Sequence, residues 1–347
     1  MSNPAETDLP SLILTIPPDA AGRRLDSWLA EARPERSRTQ WQALIRARRV
    51  TLEGHPVRPS HQLAGGERVA IPDLGPEAPP AFRPPELLPE RPPQEWILYE
   101  DDHLVVLNKP VGMVVHPSPG HWEDSLVHRL WPAWQEDTAP EDLRPGVVHR
   151  LDKDTSGCLL WAKTREVQRQ LILAVARREV HRWYLALVAG TLDPLVGRIE
   201  GPIGRDPRNR LKMAVVEGGR PAITDYFTVA SWSSYSLVEL KLHTGRTHQV
   251  RVHLASLGHP VVGDTFYGGP SGLGFSHQAL HAWRIAFVHP IQKERMCFSA
   301  PLPESWVTAA RELGEPQIGP AVGRWELEAP WPCGPKDAWQ TFRSLGD

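Results

Sequence analysis

VVHRLDKDTSGCLLWAK, residues 147–163, is the stretch on which the reading of this 347-residue chain turns. It holds a polar run, His149 to Gly157, between the apolar flanks Val147-Val148 and Cys158 to Ala162. A charged hairpin tip is the ordinary explanation of such a run. The flanks argue against it, because a turn fed by strands this apolar is partly buried, where charges need partners. Outward from there, Thr164 to Arg178 carries Val167, Leu171, Ile172 and Val175 at helical spacing. Strands follow at HRWYLALVAG (181–190), DYFTVASW (225–232) and YSLVELKLHTG (235–245), and THQVRVHLASLG (247–258) reads as a helix ended by Gly258. On the N-terminal side, WILYEDDHLVVLNKP (96–110) places two strands around an acidic turn. Strands and helices do not alternate regularly, so an α+β domain with a mostly antiparallel mixed sheet is expected rather than a doubly wound one.

The segment 72–95 contains nine prolines. Proline lacks the N–H that helix interiors and central strands require, so this is read as a stiff linker. Before it, residues 21–70 hold ten arginines against five acids, although the whole chain has a net charge of -2. That asymmetry points to an anionic partner for the first module. Leu25, Trp28, Leu29 and Ala32 mark one helix; Ser37 stands where an N-cap would, before a second helix with Trp41, Leu44 and Ile45 on its apolar side. VTLEG and GGERVAIP supply short strands. The expected division is a flexible N-terminus (1–20), a small α+β module (21–72), a linker (73–95), a catalytic domain (96–305) and a tail (306–347) that packs through Trp325, Trp331 and Trp339.

No apolar run reaches the roughly 20 residues that span a bilayer, and the first residues lack the order of a signal peptide, so a cytoplasmic protein is expected. Cys158, Cys297 and Cys333 are far apart and odd in number, which gives no disulfide framework and no Cys-x-x-Cys site. Dinucleotide, Walker, nucleophile-elbow and zinc-protease motifs do not occur. A second polar cluster, His243 to Asp264, supplies Arg246 and Arg251, either of which could aim a carboxylate by bidentate hydrogen bonds or meet phosphate. Tyr184 falls on the same strand face as Arg182 and Ala186; pattern alone makes it a core residue.

His149-Arg150-Leu151-Asp152 followed by Thr155-Ser156-Gly157 resembles the signature of the RluA family of pseudouridine synthases. GMVVHPSPG from Gly112, YLALVAG from Tyr184, TGRTHQVRVHLASLGHPVVGD from Thr244 and LHAWRIAFVHP from Leu280 resemble further family segments in the family's order. Upstream, GRRLDSWLAE, SRTQWQALIRARRVTLEG and LAGGERVAI resemble an RNA-binding module shared with a small-subunit ribosomal protein. That module usually has glycine where Arg48 or Arg49 stands and asparagine where Glu53 stands.

The resemblance implies conversion of uridine to pseudouridine in structured RNA, with large-subunit ribosomal RNA favoured and transfer RNA the alternative, by a monomer. It carries Asp152 over as the catalytic aspartate, Arg150 as the arginine that enters the RNA stack, Tyr184 as the tyrosine beneath the base, and Arg251 as the partner of the aspartate. Arg246 serves that pair or a phosphate, and Arg38, Arg46, Arg48 and Arg49 face RNA from the first module. The isomerisation adds no atom and changes no oxidation state, so neither cofactor nor metal is expected. It needs a carboxylate nucleophile and surroundings that tolerate a detached uracil anion. Tyr184 could remove the final proton from carbon 5 only with a lowered pKa. A non-catalytic RNA-binding or ribosome-assembly factor and a nucleoside hydrolase are the competing readings.

Overall fold

The computed structural model describes residues 11–33, 38–72, 92–118, 121, 124–130, 144–318 and 345. The chain divides into two compact units, residues 1–83 and 84–347. Ser37, most of the proline-rich segment and the three tail tryptophans lie outside the described residues.

The first unit contains β1 (Ser11–Thr15), α1 (Leu25–Ala32), α2 (Arg38–Arg46), β2 (Thr51–Leu52), β3 (His55–Pro56) and β4 (Arg68–Pro72). The strands form a sheet in the order β1-β4-β2-β3. Leu25, Trp28 and Leu29 of α1 pack with Trp41 and Ile45 of α2 against Val69 and Ile71 of β4, while Ala32 is exposed. The expectation of a flexible N-terminus through residue 20 is corrected: β1 pairs along the whole of β4, and Leu14 and Ile16 join the core. Helix α1 also buries a charge, Asp26, at 0% exposure. Arg24 donates to it through Nε at 3.0 Å and Nη2 at 2.9 Å, Arg38 at 3.2 Å and Gln42 at 2.6 Å. Burial alone would raise this carboxyl, but the donors outweigh it and hold the group at about 2.

Among the described residues of this unit two that are not glycine occupy the left-handed region that favours glycine and asparagine, Arg48 at φ 59° and Glu53 at φ 48°. Glu53 and Gly54, both with positive φ, form the two-residue loop between β2 and β3, the position where Asn-Gly is the natural choice. Glu53 is instead tied down by its carboxylate, which accepts the Arg68 backbone N–H at 2.6 Å.

The second unit is built on one ten-stranded sheet. Its elements are β5 (Ile97–Glu100), β6 (Leu104–Lys109), α3 (Leu126–Leu130), β7 (Ser156–Ala162), α4 (Arg165–Ala176), β8 (His181–Ala189), β9 (Val196–Glu200), the hairpin β10 (Ile203–Arg205) and β11 (Met213–Val215), β12 (Ile223–Ser231), β13 (Tyr235–Leu242), α5 (Gln249–Ser256), β14 (Leu280–Val288), β15 (Arg295–Ser299), α6 (Glu304–Leu313) and β16 (Gln317–Ile318). The main order is β16-β12-β13-β8-β14-β7-β6-β5, with β9 on β12 and β15 on β14. Among the described strands only the β14–β7 pair is parallel, through His281 to Ser156 and Ala282 to Gly157. Gly157 is needed there: it has φ 108°, and a Cβ would lie 2.3 Å from the Ala282 carbonyl oxygen.

Thr164 caps α4 by accepting the Val167 N–H at 3.3 Å, and the helix buries Val167 and Leu171 against β6, β7 and β14. Ile172 is 44% exposed, contrary to the periodic reading, because it faces a cleft. The expected tail from residue 306 is also corrected. Helix α6 buries Trp306 edge-on against Phe275, and β16 pairs with Ala230 and Ser231 of β12, so the unit continues to residue 318. Cys158 is a buried free thiol. Among the described residues no helix is long and apolar enough to cross a membrane.

Candidate active site

A cleft of about 680 Å³ opens where the loop entering β7, the middle of β8 and the loop entering α5 converge. The apolar flanks of the motif explain the first of these positions: β7 is buried along its whole length, so residues 149–155 are held at the end of a central strand. Strand β8 delivers Arg182 and Tyr184 to the cleft by alternation. Between His281 and Arg284 the register of β14 slips, so that Ala282 and Trp283 lie opposite the single residue Tyr184. That is a β-bulge beside the site.

Among the described residues Asp152 is the one carboxylate on the cleft wall, against six guanidinium groups from Arg144, Arg150, Arg178, Arg182, Arg246 and Arg251. Arg251, buried on α5, donates from Nη1 to Asp152 at 3.2 Å. Its bidentate partner is a different acid: Nε and Nη2 meet Asp264 at 2.6 and 2.8 Å. The bidentate grip that an arginine of this cluster could make on a carboxylate is thus made on Asp264, leaving one donor nitrogen for Asp152. Burial alone would lower the Arg251 pKa, but Asp264 and Asp152 together raise it, and the cation is permanent. Tyr267 closes this assembly: the guanidinium carbon lies 4.9 Å from its ring centre, its hydroxyl accepts the Met213 N–H at 3.1 Å, and it meets His248 Nδ1 at 2.7 Å.

The loop before α5 is fixed by one glutamine. Gln249 Oε1 accepts from Thr244 Oγ1 at 2.7 Å and from the Arg246 N–H at 3.0 Å, and its Nε2 donates to Ile223 O and Thr224 Oγ1, each at 3.0 Å. Arg246 does not reach Asp152; its Nε donates to the Pro221 carbonyl at 3.0 Å at the cleft edge. Arg150 is exposed, and its side chain makes no hydrogen bond or ion pair among the described residues. Tyr184 is 5% exposed, and burial, reinforced by the charge on Asp152, pushes its phenol up to about 12. The lowered pKa that a base at this position requires is absent, and the phenol is neutral at physiological pH.

In the first unit, Arg46, Arg48 and Arg49 are exposed, while Arg38 contributes its Nη2 to Asp26. Sequence reasoning missed Asp264, Tyr267, Arg144, Arg178 and Lys109. Lys109 is buried, and its Nζ donates to the carbonyls of Pro110, Met113 and Lys153 at 2.6, 2.9 and 3.0 Å, so it anchors the loop that carries Asp152. The available signal was a lysine ending the buried strand β6 just before a proline. Asp264 ended a motif already singled out and precedes a short helical turn that it caps, a capping pattern readable in sequence. Among the described residues no cluster of His, Cys, Asp or Glu is arranged to hold a metal.

Residues 103–256 match the family model described as RNA pseudouridylate synthase, and residues 23–69 match the S4 domain. A protein of Xanthomonas campestris pv. campestris named ribosomal large subunit pseudouridine synthase D is 41% identical over 316 residues, covering 87% of this chain and 92% of the relative. A protein of Chloroflexus aurantiacus named uncharacterized RNA pseudouridine synthase is 42% identical, covering 87% and 93%. The solved structure of human RNA pseudouridylate synthase domain containing 1 is similar with a TM-score of 0.51 at 26% identity, covering 66% of this chain and 92% of that one.

Proposed function

This chain belongs to the RNA pseudouridylate synthase family and is an RNA pseudouridine synthase; within that activity we propose that Asp152 is the nucleophile and that the substrate is a uridine of large-subunit ribosomal RNA. The observation that carries the proposal is the lone carboxylate in an arginine-walled cleft, aimed by a guanidinium that Asp264 immobilises. The carboxylate attacks the anomeric carbon of the sugar or the pyrimidine ring. The bond between base and sugar breaks, the uracil turns over Tyr184, and the ring rejoins through carbon 5 as the bond to Asp152 is released; carbon 5 then loses its proton and the freed ring nitrogen N1 gains one. No electron or atom is gained overall, so the reaction needs no cofactor. Extruding the base costs a few kcal/mol, which Arg150, whose side chain has no hydrogen-bond or ion-pair partner among the described residues, offsets by taking the vacated place in the stack.

The S4 module, from β1 through β4, holds RNA through Arg46, Arg48 and Arg49, with Arg38 acting mainly on Asp26. The enzyme acts as a monomer, and residues 73–95 serve as the spacer between module and catalytic unit. Ribosomal RNA is favoured because relatives of near-full length carry that substrate in their names. Mapping pseudouridine in ribosomal and transfer RNA from cells lacking the gene tests the reading. Sites should return with wild type and stay absent with Asp152→Asn, while the variant binds RNA within a few-fold of wild type. Restoration by Asp152→Asn would remove the nucleophile, and loss confined to transfer RNA would replace the substrate.

A further inference from the structure

Arg182 lies two residues before Tyr184 on the same face of β8, 6% exposed and lining the cleft. Its Nε has no hydrogen-bond partner, and among the described residues no carboxylate forms an ion pair with it. Burying a guanidinium without a counter-charge is costly, and burial lowers its hold on its proton. Among the described cleft residues one other arginine is buried, Arg251, and it has two acids. The wall beside Arg182 is also kept open. A Cβ at Gly245 would come within 3.0 Å of Arg182 Nη1, although Gly245 has no left-handed backbone that demands glycine. The missing side chain leaves room next to the guanidinium and on the cleft side of the loop.

We propose that Arg182, with the gap at Gly245, is an anion subsite in the cleft that receives a negatively charged oxygen of the extruded nucleotide. This rests on the uridine-isomerising reading above. Two groups of that nucleotide present such an oxygen: the uracil ring after its bond to the sugar breaks, and the flanking phosphates. The ring is the nearer source, because two residues along a strand is roughly 7 Å, close to the span of a pyrimidine and one hydrogen bond laid from Tyr184. The protein thereby keeps an unpaired charge that lowers its stability in the free state and finds its counter-ion only when substrate is bound.

The test compares wild type, Arg182→Met, Arg182→Lys, Gly245→Ala and Asp152→Asn on a large-subunit ribosomal RNA fragment, with Tm measured for each. Arg182→Met should keep or raise Tm while turnover falls by about 10²–10³-fold, as for loss of an oxyanion donor, and Arg182→Lys should recover roughly a tenth of the wild-type rate. Gly245→Ala should lower turnover in the same direction without loss of Tm. Neutral methylphosphonate linkages flanking the target uridine separate the sources. If the ring is the ligand, the arginine effect falls on kcat and persists with the neutral backbone. If a phosphate is the ligand, the effect falls on KM and disappears. Arg182→Met with kcat and KM within about two-fold of wild type would overturn the subsite, and so would loss of activity that follows loss of Tm in every variant. Turnover that survives Asp152→Asn would overturn the reading beneath it instead.

Discussion

Asp152 and Arg251 could be named from the chain, but their bond could not. They are 99 positions apart, and what joins them is a single 3.2 Å contact left over after Asp264 has taken the other two donors of the guanidinium. Asp264 therefore acts as the positioning residue: it fixes the plane of the guanidinium, and Tyr267 supports that plane from one side. Asp264→Asn should lower kcat by about 10–100-fold with RNA affinity nearly unchanged, because the outer partner of an aimed group is lost rather than a group that touches RNA. It should also cost about 3 kcal/mol of stability, since a buried charge loses its principal partner. Steady-state kinetics and thermal unfolding check both; a wild-type kcat would show that Asp152 is aimed without this brace.

The periodic elements of the chain were legible because burial imposes period. Helix α4 and strand β8 stand where their apolar spacing predicts them, and α5 ends at Leu257-Gly258 with φ 83° at the glycine. Exceptions to period were not legible. Ile172 is exposed because a cleft interrupts the packing, the bulge opposite Tyr184 leaves no mark in β14, and α6 was hidden in a proline- and tryptophan-rich stretch. The turn after α2 explains a departure from the usual module sequence: Arg48 occupies a left-handed conformation where glycine is common. Arg48→Gly should stabilise the first unit by about 1 kcal/mol. Hydrogen exchange in α1 and α2 should slow accordingly, and unchanged or faster exchange would mean that the arginine side chain offsets its backbone strain.

Across the second unit, buried histidines tie the fold to pH. Burial pulls His149 down to about 3, and His116 and His281 to about 4, against an ordinary value near 6.5. The unfolded chain binds protons at these sites before the folded one does, so stability is full above pH 6.5 and falls as pH drops toward 4. With roughly 3 kcal/mol at stake per histidine, acid unfolding should begin well above pH 4. Circular dichroism against pH measures this, and a native signal unchanged down to pH 4 would contradict it. What the amino-acid sequence determined by itself was local: the periodic strands and helices, the basic first module, and the motif segments that single out Asp152, Arg150, Tyr184 and Arg251 as candidates. What only the tertiary structure decided was pairing and solvation, namely that Asp264 rather than Asp152 takes the bidentate grip, that the Tyr184 phenol is pushed up rather than down, and that Arg182 is buried without an acid. Pairing depends on distances between residues far apart in the chain, and solvation on what the folded units exclude, and neither quantity is written in any one segment.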